Sequence, residues 1–357
     1  MAPIASSTMN KENAIPCFDS IRTYDFFMDH SQLMDGTKNV VQWAFPHWDI
    51  KEAKFILQTH GLTNKLVKCK WNGETILIRT YGKGTDAIID RDQEMINFIA
   101  LSRFGLCPKV HGRFSNGFIY GYMEGIPFSI SDVRHPQKSA LVARHMAKWH
   151  KVTANDLLEP KPRLFETYYQ WLSEIPKKFS NPSVEASVRS FITRERLLKE
   201  LKHLEAELAK VGSPLVFSHG DVNPNNIIYN AATNKVDFID YEYGSYNPRG
   251  FDIGNHFCEH AGFDCEWDLY PNEEFQRTFL REYLEASKEG EKVTEVTEEE
   301  ITKLYAEVNK YSLASNLGWS IWGLVQAEIS DLDFDYTEYS KMRLDEYFRR
   351  KDEFLAL

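Results

Sequence analysis

The residues best equipped for chemistry lie between Leu215 and Glu259. There the chain reads L-V-F-S-H-G-D-V-N-P-N-N-I-I-Y-N and, after a short turn, K-V-D-F-I-D-Y-E-Y-G-S-Y-N-P-R-G-F-D-I-G-N-H-F-C-E. Two apolar runs, Leu215 to Phe217 and Ile227 to Tyr229, flank a polar loop holding His219, Asp221 and Asn226; a third, Val236 to Ile239, delivers Asp240 at its end. β-Formers that stop abruptly at polar residues place those side chains at strand ends, facing a cleft. The pattern H-x-D-x-x-x-x-N followed by I-D is the layout a phosphoryl-transfer site needs. Asp221 would meet the attacking hydroxyl, and Asn226 with Asp240 would hold Mg²⁺ on the nucleotide phosphates. Single Asp and Asn residues in loops cap turns through their own backbone bonds. Three at this spacing, between strand-like runs, favour the chemical reading.

Such a site needs elements on both sides to position it. Residues 1 to about 40 are polar and unpatterned, a loose arm plus a docking segment. Lys51 to Thr59 predicts a short helix ended by Gly61. Lys65 to Cys69 and Thr75 to Tyr81 predict strands around Trp71-Asn72-Gly73-Glu74, where the N-G pair favours a tight hairpin. Phe118 to Met123 predicts a strand running into a connector at Tyr122 to Gly125. Helices then dominate, at Ser139 to His150 and Arg194 to Lys210. The stripe Leu197, Leu201, Leu204 and Leu208 in the latter is core packing that stops at Gly212. The charged run Glu289 to Glu300 reads as a solvated loop and helix start. The expected fold is α+β and bilobal, protein-kinase-like, with a small β-rich N-lobe and a larger, mainly helical C-lobe. Its parts are an extension (1–40), a nucleotide-binding lobe (41–125) and a catalytic and substrate-binding lobe (126–357).

Two further groups have types suited to a ligand. Arg79 stands in a strand otherwise fit for burial, and Glu94 in the helical stretch D-R-D-Q-E-M-I-N-F-I-A-L. A strand cation paired with a helix carboxylate positions charge on the α- and β-phosphates in kinase-like folds. An edge-strand Arg making a weak surface pair fits the same letters equally well. Later, Glu259 lies on an expected helix from Asp252 to His260, Trp319 and Trp322 share one helix face, and Tyr339 follows. Aromatic faces attract an ammonium by about 0.5–2 kcal/mol each, although a Trp pair in an apolar helix is more often core than cage.

The 357 residues carry a net charge of −10, with 43% hydrophobic and 13% aromatic content. That balance describes a globular chain with ample core and argues against nucleic acid or an anionic membrane as the main partner. Cys17, Cys69, Cys107, Cys258 and Cys265 are scattered without a C-x-x-C, which fits reduced thiols in a cytosolic protein. No apolar run approaches the ~18 residues of a membrane span. The N-terminus shows neither a signal core nor a transit pattern.

The segments H-G-D-V-N-P-N-N, I-D-Y-E-Y and N-P-R-G-F-D-I-G-N-H-F together resemble the choline/ethanolamine kinase family, and more narrowly its eukaryotic ethanolamine branch. The likeness runs from Phe45-Pro46-His47-Trp48-Asp49 to Tyr347-Phe348. It implies ATP and Mg²⁺ as cofactors and a small cationic amino-alcohol as substrate. The implied reaction is phosphorylation of the ethanolamine hydroxyl to phosphoethanolamine, the first step of the CDP-ethanolamine route to phosphatidylethanolamine. A cytoplasmic location and a homodimer go with it. By the same resemblance Thr63 and Asn64 belong to a phosphate-side loop, Arg79 held by Glu94 sits on the phosphates, and the backbone of Tyr122, Met123 and Glu124 meets adenine. Glu259, Trp319, Trp322 and Tyr339 match positions lining the ammonium pocket.

Two departures from the family are visible. Gly220 stands where Asn is common beside the catalytic Asp, which bears on the rigidity of the loop. Asp264 replaces the aromatic residue that choline kinases place five positions after the pocket Glu; one ring fewer and one carboxylate more favour ethanolamine. Choline kinase, or a dual enzyme, is the second reading. An aminoglycoside-type phosphotransferase shares H-G-D-x-x-x-x-N, and a non-catalytic kinase-shaped binding protein would usually have lost the base or a metal ligand.

Overall fold

The computed structural model describes residues 21–58, 64–82, 90–290, 292 and 295–357. The chain divides into two compact units, residues 1–82 with 108–122, and residues 83–107 with 123–357.

The first unit is built on a six-stranded sheet in the order β1-β5-β6-β4-β3-β2. Its strands are β1 (Thr23–Tyr24), β2 (Lys54–Gln58), β3 (Asn64–Trp71), β4 (Glu74–Tyr81), β5 (Val110–Phe114) and β6 (Gly117–Gly121). All neighbours are antiparallel except β1 and β5. Asn72 and Gly73 both take positive φ, 47° and 84°, as the two-residue turn from β3 to β4 requires. Ile76 and Ile78 face one side of the sheet and pack with Val67, Cys69 and the helix α1 (Leu33–Ala44), which contributes Val40 and Val41. Arg79 alternates to the opposite side and is buried.

Two sequence expectations change here. The arm expected to reach residue 40 includes β1 and most of α1, so its part from Thr23 to residue 40 holds regular structure. The helix expected over Lys51 to Thr59 is instead β2, paired with Leu66–Lys70 of β3. Only one turn at Asp49–Ala53 keeps helical bonding, Ala53 N donating to Asp49 O at 2.9 Å. The run Phe55-Ile56-Leu57 has no helical period, and edge pairing with β3 satisfies its backbone.

The second unit contains α2 (Arg91–Arg103), although the chain enters the sheet of the first unit again after it. The reason is chemical. Asn97 Nδ2 on α2 donates to the carbonyls of Tyr241 and Gly244 at 2.9 and 2.7 Å, and Phe98 packs edge-on against Tyr241. Next come β7 (Ile126–Pro127), α3 (Ile130–Val133), α4 (Pro136–Trp149), α5 (Leu164–Glu174), α6 (Pro182–Phe191) and α7 (Arg194–Leu208). The leucine stripe of α7 is buried, and Gly212 beyond it has φ 68°. β8 (Leu215–Ser218) pairs with β11 (Ser245–Pro248), while β9 (Ile227–Asn230) lies between β7 and β10 (Lys235–Phe238). The helices α8 (Arg249–Cys258), α9 (Glu273–Ser287), α10 (Glu298–Ile329) and α11 (Tyr336–Ala356) complete the unit. Thr297 and Glu300 form a reciprocal capping box that starts α10. Its middle is buried on all faces because α5, α7, α8, α9 and α11 surround it. Among the described residues no helix is long and apolar enough to cross a membrane.

Candidate active site

The loop that leaves β8 is anchored from beneath. Asp252, buried on α8, accepts Ser218 Oγ at 3.0 Å and the backbone N–H groups of His219 and Gly220 at 2.7 Å each. A fourth bond joins it to His150 Nε2 at 3.0 Å. Burial alone would raise the Asp252 carboxyl; the His150 hydrogen bond and the fields of His150 and His219 outweigh it, holding the group below the usual carboxylate value. His219 is also buried, and desolvation lowers its imidazole below the usual value. It is a strut, with Nε2 donating to the Ile239 carbonyl at 2.9 Å and Nδ1 accepting Asp221 N–H at 3.2 Å. One imidazole thus ties the loop to the strand end that presents Asp240.

Gly220 has φ +85°, and a Cβ there would lie 2.6 Å from the Tyr243 carbonyl oxygen. The glycine lets the loop approach Tyr243 closely. The loop is fixed through the backbone and Asp252, not through a side chain at position 220.

Asp221 and Asn226 form one unit. Asn226 Nδ2 donates to Asp221 O at 2.9 Å and to Asp221 Oδ2 at 3.0 Å, and Asn223 Nδ2 reaches the same Oδ2 at 2.9 Å. The Asp221 carboxyl is pushed up to about 8 by burial, then by the charges of Glu259 and Asp240, against the Asn223 hydrogen bond and Arg343. Asp240 itself takes φ 68°, a left-handed conformation that Asp tolerates better than most residues and that marks functional sites. One carboxylate oxygen each from Glu94, Asp240 and Glu242 lies within 4.8 Å of the others. Arg91 partly balances them, at 3.1 Å from Glu94 and 3.8 Å from Glu242.

These are the oxygen donors that a hard divalent cation takes. An octahedral Mg²⁺ site holds its oxygens roughly 3–4 Å apart. Asn226, with its nitrogen committed to Asp221, has its amide oxygen to offer. Glu242 is a carboxylate of this cluster that was not singled out from the sequence.

The aromatic residues divide into two sets around Trp319. Trp319 and Trp322 stand edge to face with centroids 5.5 Å apart, as their shared helix face dictates, and Trp322 is 6.4 Å from Tyr339. On the other side Trp319, Tyr243 and Trp171 pack mutually at 5.2–5.9 Å. A cavity of about 480 Å³ opens against this second set, lined also by Gly220, Glu242, Arg163 and Asp92. Trp319 lines it; Glu259, Trp322 and Tyr339 do not. Glu259 and Tyr339 meet at Arg343 instead, whose Nη2 donates to Glu259 and whose guanidinium lies 5.3 Å from the Tyr339 ring, and Trp322 stands next to Tyr339.

Tyr243, Trp171, Asp252 and Arg343 were not singled out from the sequence. Trp171 sits in an ordinary apolar helix face and gave no signal. Arg343 did give one: it falls on the buried stripe of α11 with Tyr336, Tyr339, Leu344 and Tyr347, where an unpaired cation is not tolerated. Position 264 differs from the expectation. Asp264 is exposed, and its neighbour Phe263 supplies a ring 6.0 Å from Tyr339.

Of the nucleotide-side residues, Thr63 lies outside the described residues. Asn64 opens β3 opposite Tyr81. Arg79 is on β4 of the first unit, and Glu94 is on α2 of the second. Tyr122 closes the first unit, with Lys68 Nζ 3.3 Å from its ring centroid, while Met123 and Glu124 open the return to the second.

A β-sheet unit, a mainly helical unit and the comparisons with known proteins define a small-molecule kinase of the protein-kinase-like fold. The chain belongs to the choline/ethanolamine kinase family, whose sequence profile matches residues 55–348. It is 39% identical over 328 residues to a probable ethanolamine kinase of Nematostella vectensis, covering 90% of this chain and 94% of that protein. It is 38% identical over 336 residues to ethanolamine kinase 1 of Mus musculus, covering 92% of each. The structure of a Plasmodium vivax ethanolamine kinase superposes with a TM-score of 0.79 at 28% identity, over 90% of this chain and 89% of that one.

Proposed function

We propose that this chain transfers the terminal phosphoryl group of ATP to the hydroxyl of ethanolamine, giving phosphoethanolamine. The observation that carries the chemistry is the Asp221–Asn226 unit set beside the carboxylates of Asp240 and Glu242. The choice of acceptor rests on relatives that are named ethanolamine kinases and align over nine-tenths of both chains.

In this reading Asp221 orients the acceptor hydroxyl and takes its proton. A carboxyl already raised toward neutral pH is matched to that task. Asn226 and Asp240, joined by Glu242, would hold Mg²⁺, which when bound neutralises charge on the phosphates. By the family likeness Arg79, Glu94, Thr63 and Asn64 serve the phosphate side, and the backbone from Tyr122 to Glu124 meets adenine. Glu259, Trp319, Trp322 and Tyr339 receive the ammonium, the carboxylate through Coulomb attraction and the rings through their quadrupoles. A cytoplasmic homodimer is part of the same reading.

Choline is the second reading, favoured by the extra ring that Phe263 brings beside Tyr339. ADP release measured across ethanolamine, its N-methyl derivatives and choline separates the two. The expected order is kcat/KM highest for ethanolamine and falling with each methyl group. A maximum at choline, or ADP release indifferent to the acceptor, would overturn the assignment.

A further inference from the structure

Arg343 has no exposed surface; its two terminal nitrogens find partners, while its Nε is buried without one. Nη2 donates to Glu259 Oε1, and Nη1 donates to Asn316 Oδ1 on α10 at 3.2 Å. The guanidinium carbon lies 5.3 Å from the ring centroids of both Tyr339 and Trp267. A guanidinium removed from water costs several kcal/mol unless an anion and polarisable faces compensate it. Here the compensating anion is a carboxylate expected to recognise a substrate.

The pair is single-pronged. Arg343 could offer Glu259 two parallel donors, yet one nitrogen is diverted to Asn316 and only one oxygen of Glu259 is engaged. Glu259 Oε2 has no hydrogen-bond partner among the described residues. Glu259 itself sits where α8 gives way to a turn of 3-10 helix (Glu259–Ala261), a place that fixes its backbone but not its carboxylate rotamer. The rotamer is fixed from α11, by Arg343.

We propose that Arg343 is a positioning residue for acceptor selection: by holding Glu259 through one oxygen it turns the other toward the substrate ammonium. This inference rests on the ethanolamine reading of the site. A primary ammonium can donate to the waiting oxygen, and a trimethylammonium cannot, so the orientation of Glu259 counts for ethanolamine and far less for choline. The rings around it contribute attraction that both head groups share.

The test uses the full chain and two variants, Arg343→Lys and Arg343→Gln. Lysine keeps the charge but cannot reach Glu259 and Asn316 with the fixed fork; glutamine keeps donors and loses the charge. The expected result is a rise in ethanolamine KM of roughly tenfold or more in Arg343→Gln, the scale of losing one partner of a buried charged pair. A smaller rise is expected in Arg343→Lys. The KM for ATP should stay unchanged, kcat at saturation should stay within about threefold, and choline KM should move less than ethanolamine KM. A merely structural Arg343 would lower Tm while leaving these KM ratios alone, because KM does not depend on how much enzyme is folded. Unchanged ethanolamine KM in both variants overturns the proposal, as does a parallel rise in the KM values for ethanolamine and ATP. Failure of the wild-type chain to release ADP in response to ethanolamine sinks the functional reading itself. Activity in the wild type with unaltered selectivity in the variants sinks only the role of Arg343.

Discussion

Trp322 Nε1 donates to the phenol oxygen of Tyr243 at 3.0 Å, which fastens α10 to the segment that carries Asp240. Tyr243 also packs edge to face against Trp319 and Trp171, so the aromatic wall and the segment carrying Asp240 share one residue. Burial, then the charges of Glu242, Asp221 and Asp240, hold its phenol well above the usual value, so it stays a neutral hydroxyl.

Removing that hydroxyl tests the linkage. Tyr243→Phe keeps the ring stack and strands a buried indole N–H, a cost of about 1–3 kcal/mol. Tm should fall, and ethanolamine KM should rise severalfold with a smaller change in kcat. Steady-state kinetics with a thermal melt checks it; an unaltered KM would show that the wall and the loop are independent.

Asp252→Asn places an amide among four donors that now meet a carboxylate. At least one backbone N–H at His219 or Gly220 would face an NH₂ group, and the buried charge is lost. A destabilisation of about 3 kcal/mol or more is expected, with turnover falling because Asp221 rides on this loop. Denaturant unfolding gives the first quantity. Wild-type stability in the variant would mean the loop is held elsewhere.

The family's common Asn is not interchangeable with Gly220 here. Asn accepts positive φ more readily than most residues, but its Cβ would meet the Tyr243 backbone at 2.6 Å. Gly220→Asn should cost roughly 1–3 kcal/mol and raise ethanolamine KM through displacement of Tyr243. Melting temperature and KM together decide this; a neutral outcome on both would show that the loop yields freely.

Asp221 should make ligand binding proton-linked. Its folded value of about 8 lies above the ~3.9 of an unfolded aspartate. Between those values the folded chain holds a proton that the unfolded chain has shed, so this group's contribution to stability falls as pH rises through that window. An arriving ammonium favours the ionised carboxylate, so ethanolamine binding near pH 7 should release protons and tighten toward pH 8. Calorimetry of the metal-free chain in two buffers of different ionisation enthalpy reads this directly. Asp221→Asn should remove the buffer dependence and flatten the stability slope; a buffer-independent heat in the wild type would contradict it.

Much of the second unit could be read from its letters because local rules and tertiary packing agree there. Strands that stop at His219 and Asp240, the i, i+3 spacing of Trp319 and Trp322, and the Leu197–Leu208 stripe each carry their geometry in their spacing. The first unit was less legible. Phe55-Ile56-Leu57 has no period of its own, and its strand state comes from β3. The grip of Asp252 on the loop and of Arg343 on Glu259 were hidden for another reason. They join residues 32 to 84 positions apart in the chain, and no local pattern encodes such a pairing.

The central claim is that Asp221 serves phosphoryl transfer to ethanolamine. Phosphorus NMR of the full chain with ATP, Mg²⁺ and ethanolamine, run beside Asp221→Asn, tests it most directly. Phosphoethanolamine should accumulate with the wild type and slow by roughly 10²–10⁴-fold in the variant, with ATP affinity preserved. Comparable rates in the two proteins, or ATP consumed without phosphoethanolamine, would contradict the account.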